Sequence, residues 1–121
     1  MPRQRPLSAE ASLARRLLSA RRQREGALGS GLFGEPAWDI LLDLFAAHEQ
    51  GQSVSVSNLC IAANVPTSTA LRWISALEER GKLVRDNDLE DRRRINVSMT
   101  EEAAGEMRSL LRSWLDAGVS G

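Results

Sequence analysis

The sequence has very few of the residues on which catalysis and metal binding depend. It contains one cysteine, Cys60, one histidine, His48, and no tyrosine. A single cysteine excludes an internal disulfide and a zinc site built from cysteines. One histidine leaves little material for a nucleophile–base pair or a metal cluster. We therefore expect no enzyme activity, no metal and no cofactor.

Long hydrophobic runs are also missing. No apolar run approaches the roughly 20 residues needed to cross a bilayer. The N-terminus lacks the apolar core and cleavage site of a secretory signal. At 121 residues, of which 42% are apolar, the chain is long enough for one domain with its own core. These features predict a soluble cytoplasmic protein without a membrane partner.

An excess of charge of either sign is absent, because 16 basic residues balance 16 acidic ones. Neutrality alone argues against a simple nucleic-acid binder. However, Lys82 is the only lysine, and the arginines concentrate in the first 24 residues and at positions 92–94. Arginine pairs bidentately with phosphate and with guanine. A local basic surface is therefore compatible with overall neutrality.

Residues 1–34 are predicted to form a unit of their own, a basic helix followed by a glycine-rich hinge. Ser8 is a candidate N-cap, and Ala14 and Leu17 belong to a thin apolar stripe. Residues 26–34 contain four glycines and predict a loop rather than a helix. Three alternatives stay open for the basic segment: a disordered tail, a dimerisation helix, or an arm that contacts phosphates.

Residues 35–121 are predicted to form the main domain, which begins with a helix opened by Pro36. The apolar stripe of this helix comprises Trp38, Leu41, Leu42, Phe45 and Ala46. Its acidic row comprises Glu35, Asp39 and Asp43. The row either faces solvent or pairs with the arginine-rich N-terminal helix of the same or a second subunit.

The middle of the domain has the layout of a helix-turn-helix. A short strand at 53–56 precedes a helix at 58–63. After a tight turn, a second helix runs over residues 67–80, and Gly81 occupies the position where a left-handed residue ends it. We call residues 67–80 the recognition helix.

The recognition helix has one apolar face and one polar face. Apolar residues recur at i, i+3, i+4 and i+7, namely Ala70, Trp73, Ile74 and Leu77. A helix that enters a DNA major groove needs small polar residues near its N-terminus, where backbone and side chains approach phosphates and base edges. The candidate contacts are Thr67, Ser68, Thr69, Arg72 and Ser75.

A hairpin follows, with strands predicted at 82–86 and 95–99. The segment between them, residues 87–94, is polar and charged, and we call it the wing tip. It is either a solvated loop in which acids neutralise the arginines, or a wing that places guanidinium groups in a minor groove or on phosphates. The candidate contacts are Arg92, Arg93 and Arg94.

The last predicted helix is capped by Thr100. Its apolar face comprises Ala103, Met107, Leu110, Leu111 and Trp114. That face is wider than one small domain needs. It therefore packs on the Trp38 helix, or part of it is left for a partner subunit.

This order of elements is that of a mainly α (α+β) winged helix-turn-helix with a two-stranded wing and flanking N- and C-terminal helices. Residues 38–100 also resemble the MarR family of bacterial transcriptional regulators. The most specific segment is LEERGKLVRDNDLEDRRRINVSMT, residues 77–100, which carries the family's pattern of an aspartate, here Asp88, followed by Asp91-Arg92-Arg93, and ends in Met99-Thr100.

The resemblance implies a sequence-specific regulator of transcription that binds double-stranded DNA as a homodimer through its N- and C-terminal helices. The recognition helix would lie in the major groove. Asp91 would orient an arginine, and Arg92 or Arg93 would reach the DNA from the wing.

Two departures from the family pattern concern the end of the chain. MarR proteins end in two long helices that build the dimer and often enclose an effector pocket, whereas one helix is predicted here. The family's glycine shortly after the threonine is Ala103. A small-molecule effector is therefore unsupported by the sequence.

An alternative function is a winged-helix module that binds proteins and not DNA. Zero net charge favours it, as does Leu71 on the outward face of the recognition helix.

Overall fold

Five helices and a three-stranded antiparallel sheet make up a computed structural model, which describes residues 8–28 and 35–118. The predicted mainly α winged-helix fold is confirmed. In chain order the elements are α1 (Ala9–Leu28), α2 (Pro36–Glu49), β1 (Val54–Ser55), α3 (Val56–Ala63), α4 (Thr67–Glu79), β2 (Leu83–Asn87), β3 (Ile95–Met99) and α5 (Glu101–Ala117).

Helix α1 is longer than the sequence indicated. Residues 26–28, which were expected in the glycine-rich loop, are its last residues. A single glycine costs a helix only about 1 kcal/mol, and good helix formers stand on both sides of Gly26. The rest of the expected hinge, residues 29–34, lies outside the described residues, and so does the predicted domain boundary.

The helix ends follow the capping signals in the sequence. The Ser8 hydroxyl accepts a hydrogen bond from the Ala11 amide at 3.1 Å, and the Thr100 hydroxyl accepts one from the Ala103 amide at 3.2 Å. Ser55 caps α3 in the same way through the Asn58 amide. Gly81, at φ +73°, follows α4 in the left-handed region.

The sheet has the order β1-β3-β2, so the predicted two-stranded wing gains a third strand. Val54 pairs with Val97 on one side of β3, and Leu83 pairs with Met99 on the other. The short strand expected at 53–56 is limited to two residues because Val56 already begins α3. This pairing places the start of α3 beside the wing tip.

Helix α2 lies at the centre of the core. Its fully buried side chains include Ile40, Leu42, Leu44 and Phe45. The predicted apolar stripe was too narrow, since Ile40 and Leu44 lie outside it and Trp38 is only half-buried. Helix α1 covers the second side of α2, so burial extends around most of that helix.

Helix α1 packs into this core through Ala11, Leu13, Ala14 and Leu17. The alternative of a disordered basic tail is therefore wrong for residues 9–28. Arg21 of α1 forms ion pairs with Asp39 of α2 and with Glu35, the residue before α2.

This pairing decides the role of the acidic row. A wholly solvated row is wrong, because Asp39 is buried. Two members of the row, Glu35 and Asp39, pair with Arg21 of the arginine-rich helix in the same chain.

Candidate nucleic-acid interface

The two helices of the helix-turn-helix are joined by a turn in which Asn64 adopts a left-handed conformation, φ 53°. Asparagine tolerates this region better than most residues. Pro66 precedes α4, and its carbonyl oxygen accepts hydrogen bonds from both the Thr69 and the Ala70 amides. The turn therefore fixes how α4 lies across α3.

The inner face of α4 is narrower than its sequence period indicated. Ala70, Ile74 and Leu77 are buried as predicted, but Trp73 is 42% exposed. The i, i+3, i+4, i+7 spacing shows which way a side chain points from the helix. It does not show how much of that face the neighbouring elements cover. Trp73 lies at the edge of the stripe, where it lines an apolar depression with Thr69 and Ala76.

The outer face of α4 presents the predicted groove contacts unevenly. Thr67, Ser68 and Arg72 are exposed, whereas Thr69 and Ser75 are half-buried. Leu71 is exposed beside them. A DNA contact by any of these residues stays a prediction.

An open depression of about 740 Å³ runs between α3 and the N-terminal half of α4. Ser57 and Ile61 contribute from α3, and Thr67 and Leu71 contribute from α4. Ile61 is exposed there. The outer surface of the motif is therefore made by both helices and contains small hydroxyls and apolar side chains.

Arg85 of β2 is a site residue that the sequence did not indicate. Its guanidinium donates to Glu78 of α4 at 2.7 and 3.1 Å, and to the Ser75 hydroxyl at 3.4 Å. The hydrogen bond from Arg85 lowers the pKa of the Glu78 carboxyl and is the main reason for this shift. Arg85 thus joins the recognition helix to the wing and already engages Ser75.

The wing tip is a hydrogen-bonded turn organised by Asp88. One carboxylate oxygen of Asp88 accepts hydrogen bonds from the Glu90 amide at 2.8 Å and the Asp91 amide at 3.2 Å. The other accepts from the Asn96 side-chain amide at 3.2 Å. These bonds lower the pKa of Asp88, so the turn keeps its charged acceptor at neutral pH.

Asp91 acts on the arginine two residues later. Its carboxylate accepts a hydrogen bond from the Arg93 amide at 3.0 Å and lies 3.5 Å from the Arg93 Nε atom. The Arg93 side chain is nevertheless 94% exposed. Within the described ranges no acidic side chain forms an ion pair with Arg92 or Arg94, both of which are exposed. One of the three tip arginines, Arg93, is therefore paired with an acid of the tip, and the other two have no ion pair among the described residues.

The outer face of α4 and the wing tip meet along the exposed side of α3. Ile61 lines the α3–α4 depression and also a second depression that reaches Arg94. The polar helix face, the exposed side of α3 and Arg94 of the wing tip consequently form one continuous surface.

Residues 8–28 and 35–118 contain neither a helix long and apolar enough to cross a membrane nor a metal-binding group of three acidic, histidine or cysteine side chains. Burial raises the pKa of the Cys60 thiol, so this thiol is mostly protonated at neutral pH.

Solved structures of MarR-family regulators share this fold. S. aureus MepR in complex with DNA superposes with a TM-score of 0.59 at 17% identity, covering 88% of this chain and 79% of MepR. The PcaV transcriptional regulator from Streptomyces coelicolor gives a TM-score of 0.55 at 23% identity, covering 91% and 77%.

Bordetella bronchiseptica BpsR, whose DNA binding is regulated by 6-hydroxynicotinic acid, gives a TM-score of 0.52 at 18% identity, covering 88% and 74%. No protein-family model and no curated protein matches the sequence. At these identities the likeness establishes the fold, which is the MarR-like winged helix expected from the wing residues.

Proposed function

We propose that this chain is a MarR-like transcriptional regulator that binds specific sequences in double-stranded DNA as a homodimer. The observation that carries the proposal is the continuous surface formed by α4, α3 and the wing. Its arginine tip is exposed, and its small hydroxyl side chains stand at the N-terminus of α4. Both features suit one duplex that touches helix and wing together.

In this proposal the recognition helix, residues 67–80, enters the major groove. Arg72 is long enough to pair with the O6 and N7 atoms of guanine. The hydroxyls of Thr67 and Ser68 suit base edges or phosphates. The exposed Leu71 suits a thymine methyl group, which accounts for an apolar side chain on an otherwise polar face.

The wing tip, residues 87–94, lies on the minor groove or the phosphate backbone. Asp88 holds the turn, and Asp91 holds the backbone of Arg93. Arginine is favoured where a minor groove is narrow, because the negative potential is enhanced there. The contacts of Arg92, Arg93 and Arg94 would therefore read DNA shape and fix the position of the protein.

Dimerisation through the N- and C-terminal helices is supported by the surface of α5. Leu110 is 40% exposed, and Trp114 and Leu115 are half-buried. Trp38 packs edge-on against Trp114, with ring centroids 5.9 Å apart. Beside this pair, Trp38 also lines an open apolar cleft with Leu110. A two-fold dimer would place half-sites about one helical turn, roughly 34 Å, apart.

The test is a selection of genomic fragments followed by binding at several salt concentrations. Replacing Arg93 by Ala should cost about 1 kcal/mol or more on AT-rich flanks. Equal binding by wild type and the Arg92→Ala, Arg93→Ala double variant would contradict the proposal.

Exposed apolar side chains favour a second candidate, a protein-binding module without DNA binding. Ile61, Leu71 and Trp73 are large and exposed on the helix-turn-helix. Salt separates the two candidates, because DNA binding weakens steeply as salt rises through counterion release. An apolar partner surface depends much less on salt.

A further inference from the structure

We propose that α1 is part of the DNA-binding surface, and that Arg15 and Arg22 join Arg94 to form a site for backbone phosphate at the start of α3. This inference rests on the proposed function. It extends the protein–DNA contact from the winged helix to a helix outside it.

The three arginines come from distant parts of the chain and line one depression of about 340 Å³. Arg15 and Arg22 are seven residues apart, which places them on the same side of α1. Arg94 precedes β3, and the pairing of Ser55 with Asn96 brings it to the start of α3. The polar lining also includes Ser55 and Asn58.

The two α1 arginines differ from their neighbour Arg21, which forms ion pairs with Asp39 and Glu35. The Arg15 guanidinium donates to the neutral Gln50 amide oxygen at 2.7 Å. This hydrogen bond holds the side chain in place without pairing its charge with a carboxylate. Arg22 is exposed and has no ion pair within the described part of the chain. Their charge is therefore available to a ligand.

The opposing charge in the depression is small. Asp43 is the one carboxylate in its lining, and no hydrogen bond or ion pair joins it to the side chains the structure describes. Burial, partly offset by Arg15 and Arg22, raises the pKa of Asp43. Three guanidinium groups thus face one carboxylate, and the start of α3 adds partial positive charge from its amides.

The position of the depression points to DNA as the source of the phosphate. It shares Ile61 with the α3–α4 depression beside the proposed groove contacts. A DNA strand whose bases contact α4 has its phosphates along the edge of the major groove. The arginine cluster lies beside that edge. A free phosphate ion offers the same chemistry, so the experiment must separate the two sources.

The experiment compares the full-length Arg15→Gln, Arg22→Gln double variant with wild type on one selected DNA fragment. The slope of log affinity against log salt should fall by roughly 0.9 for each phosphate that is no longer neutralised, and so by about 2 for the pair. Arg16→Gln is the matched control, because Arg16 is exposed on the same helix but does not line the depression. Its slope should equal that of wild type.

Asp43→Asn is the complementary variant and should tighten DNA binding, since it removes the opposing charge. Two outcomes would overturn the inference. The double variant could keep the slope of Arg16→Gln. Alternatively, wild type and the double variant could have the same slope of log DNA affinity against log salt, while inorganic phosphate raises the melting temperature of wild type alone. That result would assign the site to a free phosphate ion. Absence of salt-dependent DNA binding by wild type would instead defeat the proposed function itself.

Discussion

Arg21 and Asp39 form an almost fully buried ion pair between α1 and α2, with 12% and 11% of their side chains exposed. Arg21 also contacts Glu35, which is 64% exposed. Taking two charges out of water is costly, and each is tolerated because the other is present. The pair therefore fixes where α1 docks more than it adds net stability.

Replacing Asp39 by Ala should lower the free energy of unfolding by about 3 kcal/mol, because the Arg21 charge would lose its buried partner. Glu35→Gln removes the exposed partner of the same arginine and should cost less than about 1 kcal/mol. Urea unfolding measures both. Similar decreases in the free energy of unfolding for the two variants would show that burial does not make the Arg21–Asp39 pair more important than the Arg21–Glu35 pair.

The contact between Glu49 and Arg108 should make stability depend on pH. The Arg108 guanidinium donates to both carboxylate oxygens of Glu49, at 3.0 and 2.8 Å, and this hydrogen bonding is the first cause of a lowered pKa of Glu49. A carboxyl whose pKa is lower in the folded state stabilises the fold above its unfolded value, about 4.3, and loses that contribution as pH falls through the folded pKa.

Arg108→Ala should therefore cost up to about 1 kcal/mol near pH 7, a small value because Arg108 is nearly half exposed. Thermal unfolding at a series of pH values would follow the difference from wild type. The difference should shrink as Glu49 is protonated. A constant difference down to the lowest pH would mean that Arg108 acts through packing alone.

The helix-turn-helix and its wing could be predicted because local signals mark them. The i, i+3, i+4, i+7 period identified the buried Ala70, Ile74 and Leu77. The Thr100 cap and the left-handed Gly81 marked two helix ends. Each of these features depends on neighbours within a few turns of chain.

Long-range packing explains what the sequence did not reveal. The burial of Asp39 depends on α1 lying across α2, and the exposure of Trp73 depends on no described element covering that edge of α4. The clamp from Arg85 to Glu78 joins a strand to the preceding helix. The turn held by Asp88 did have a local signal, because aspartate commonly accepts from the amide two residues later.

The Asp88 turn should control DNA affinity without controlling global stability. Asp88→Ala removes the acceptor for two amides and the Asn96 side chain, so the arginines would be presented in many orientations. DNA affinity should fall severalfold while the melting temperature stays within a few degrees of wild type. Asp88→Asn keeps one carbonyl oxygen for the amides and should recover part of the affinity.

The measurement is a DNA titration beside thermal unfolding of the same samples. Leu89→Ala is the control, since Leu89 is fully exposed in the same turn and its side chain has no hydrogen-bonding atom. If Asp88→Ala bound DNA as tightly as this control, order in the wing tip would be irrelevant to recognition.

The proposed dimer predicts that a charge at Leu110 will separate the subunits. Leu110 lines an apolar cleft of about 250 Å³ with Trp38, Leu41 and Met107 between α2 and α5. A partner helix that covers this cleft would bury an introduced arginine, and burying a charge is costly even though Glu106, four residues earlier, also lines the cleft. Leu110→Arg should therefore shift the sedimentation mass toward the monomer and weaken binding to a two-half-site fragment more than to a single half-site.

The matched control is Leu89→Arg, the same substitution at a fully exposed leucine in the wing tip. It should leave the sedimentation mass unchanged, because Leu89 lies in the wing tip and does not line the cleft between α2 and α5. Thermal unfolding distinguishes a folded monomer from an unfolded variant. The monomer is expected to fold, because Leu110 is 40% exposed and an arginine introduced at this position can extend into solvent. A Leu110→Arg protein that sediments like wild type would place the dimer interface elsewhere on the chain.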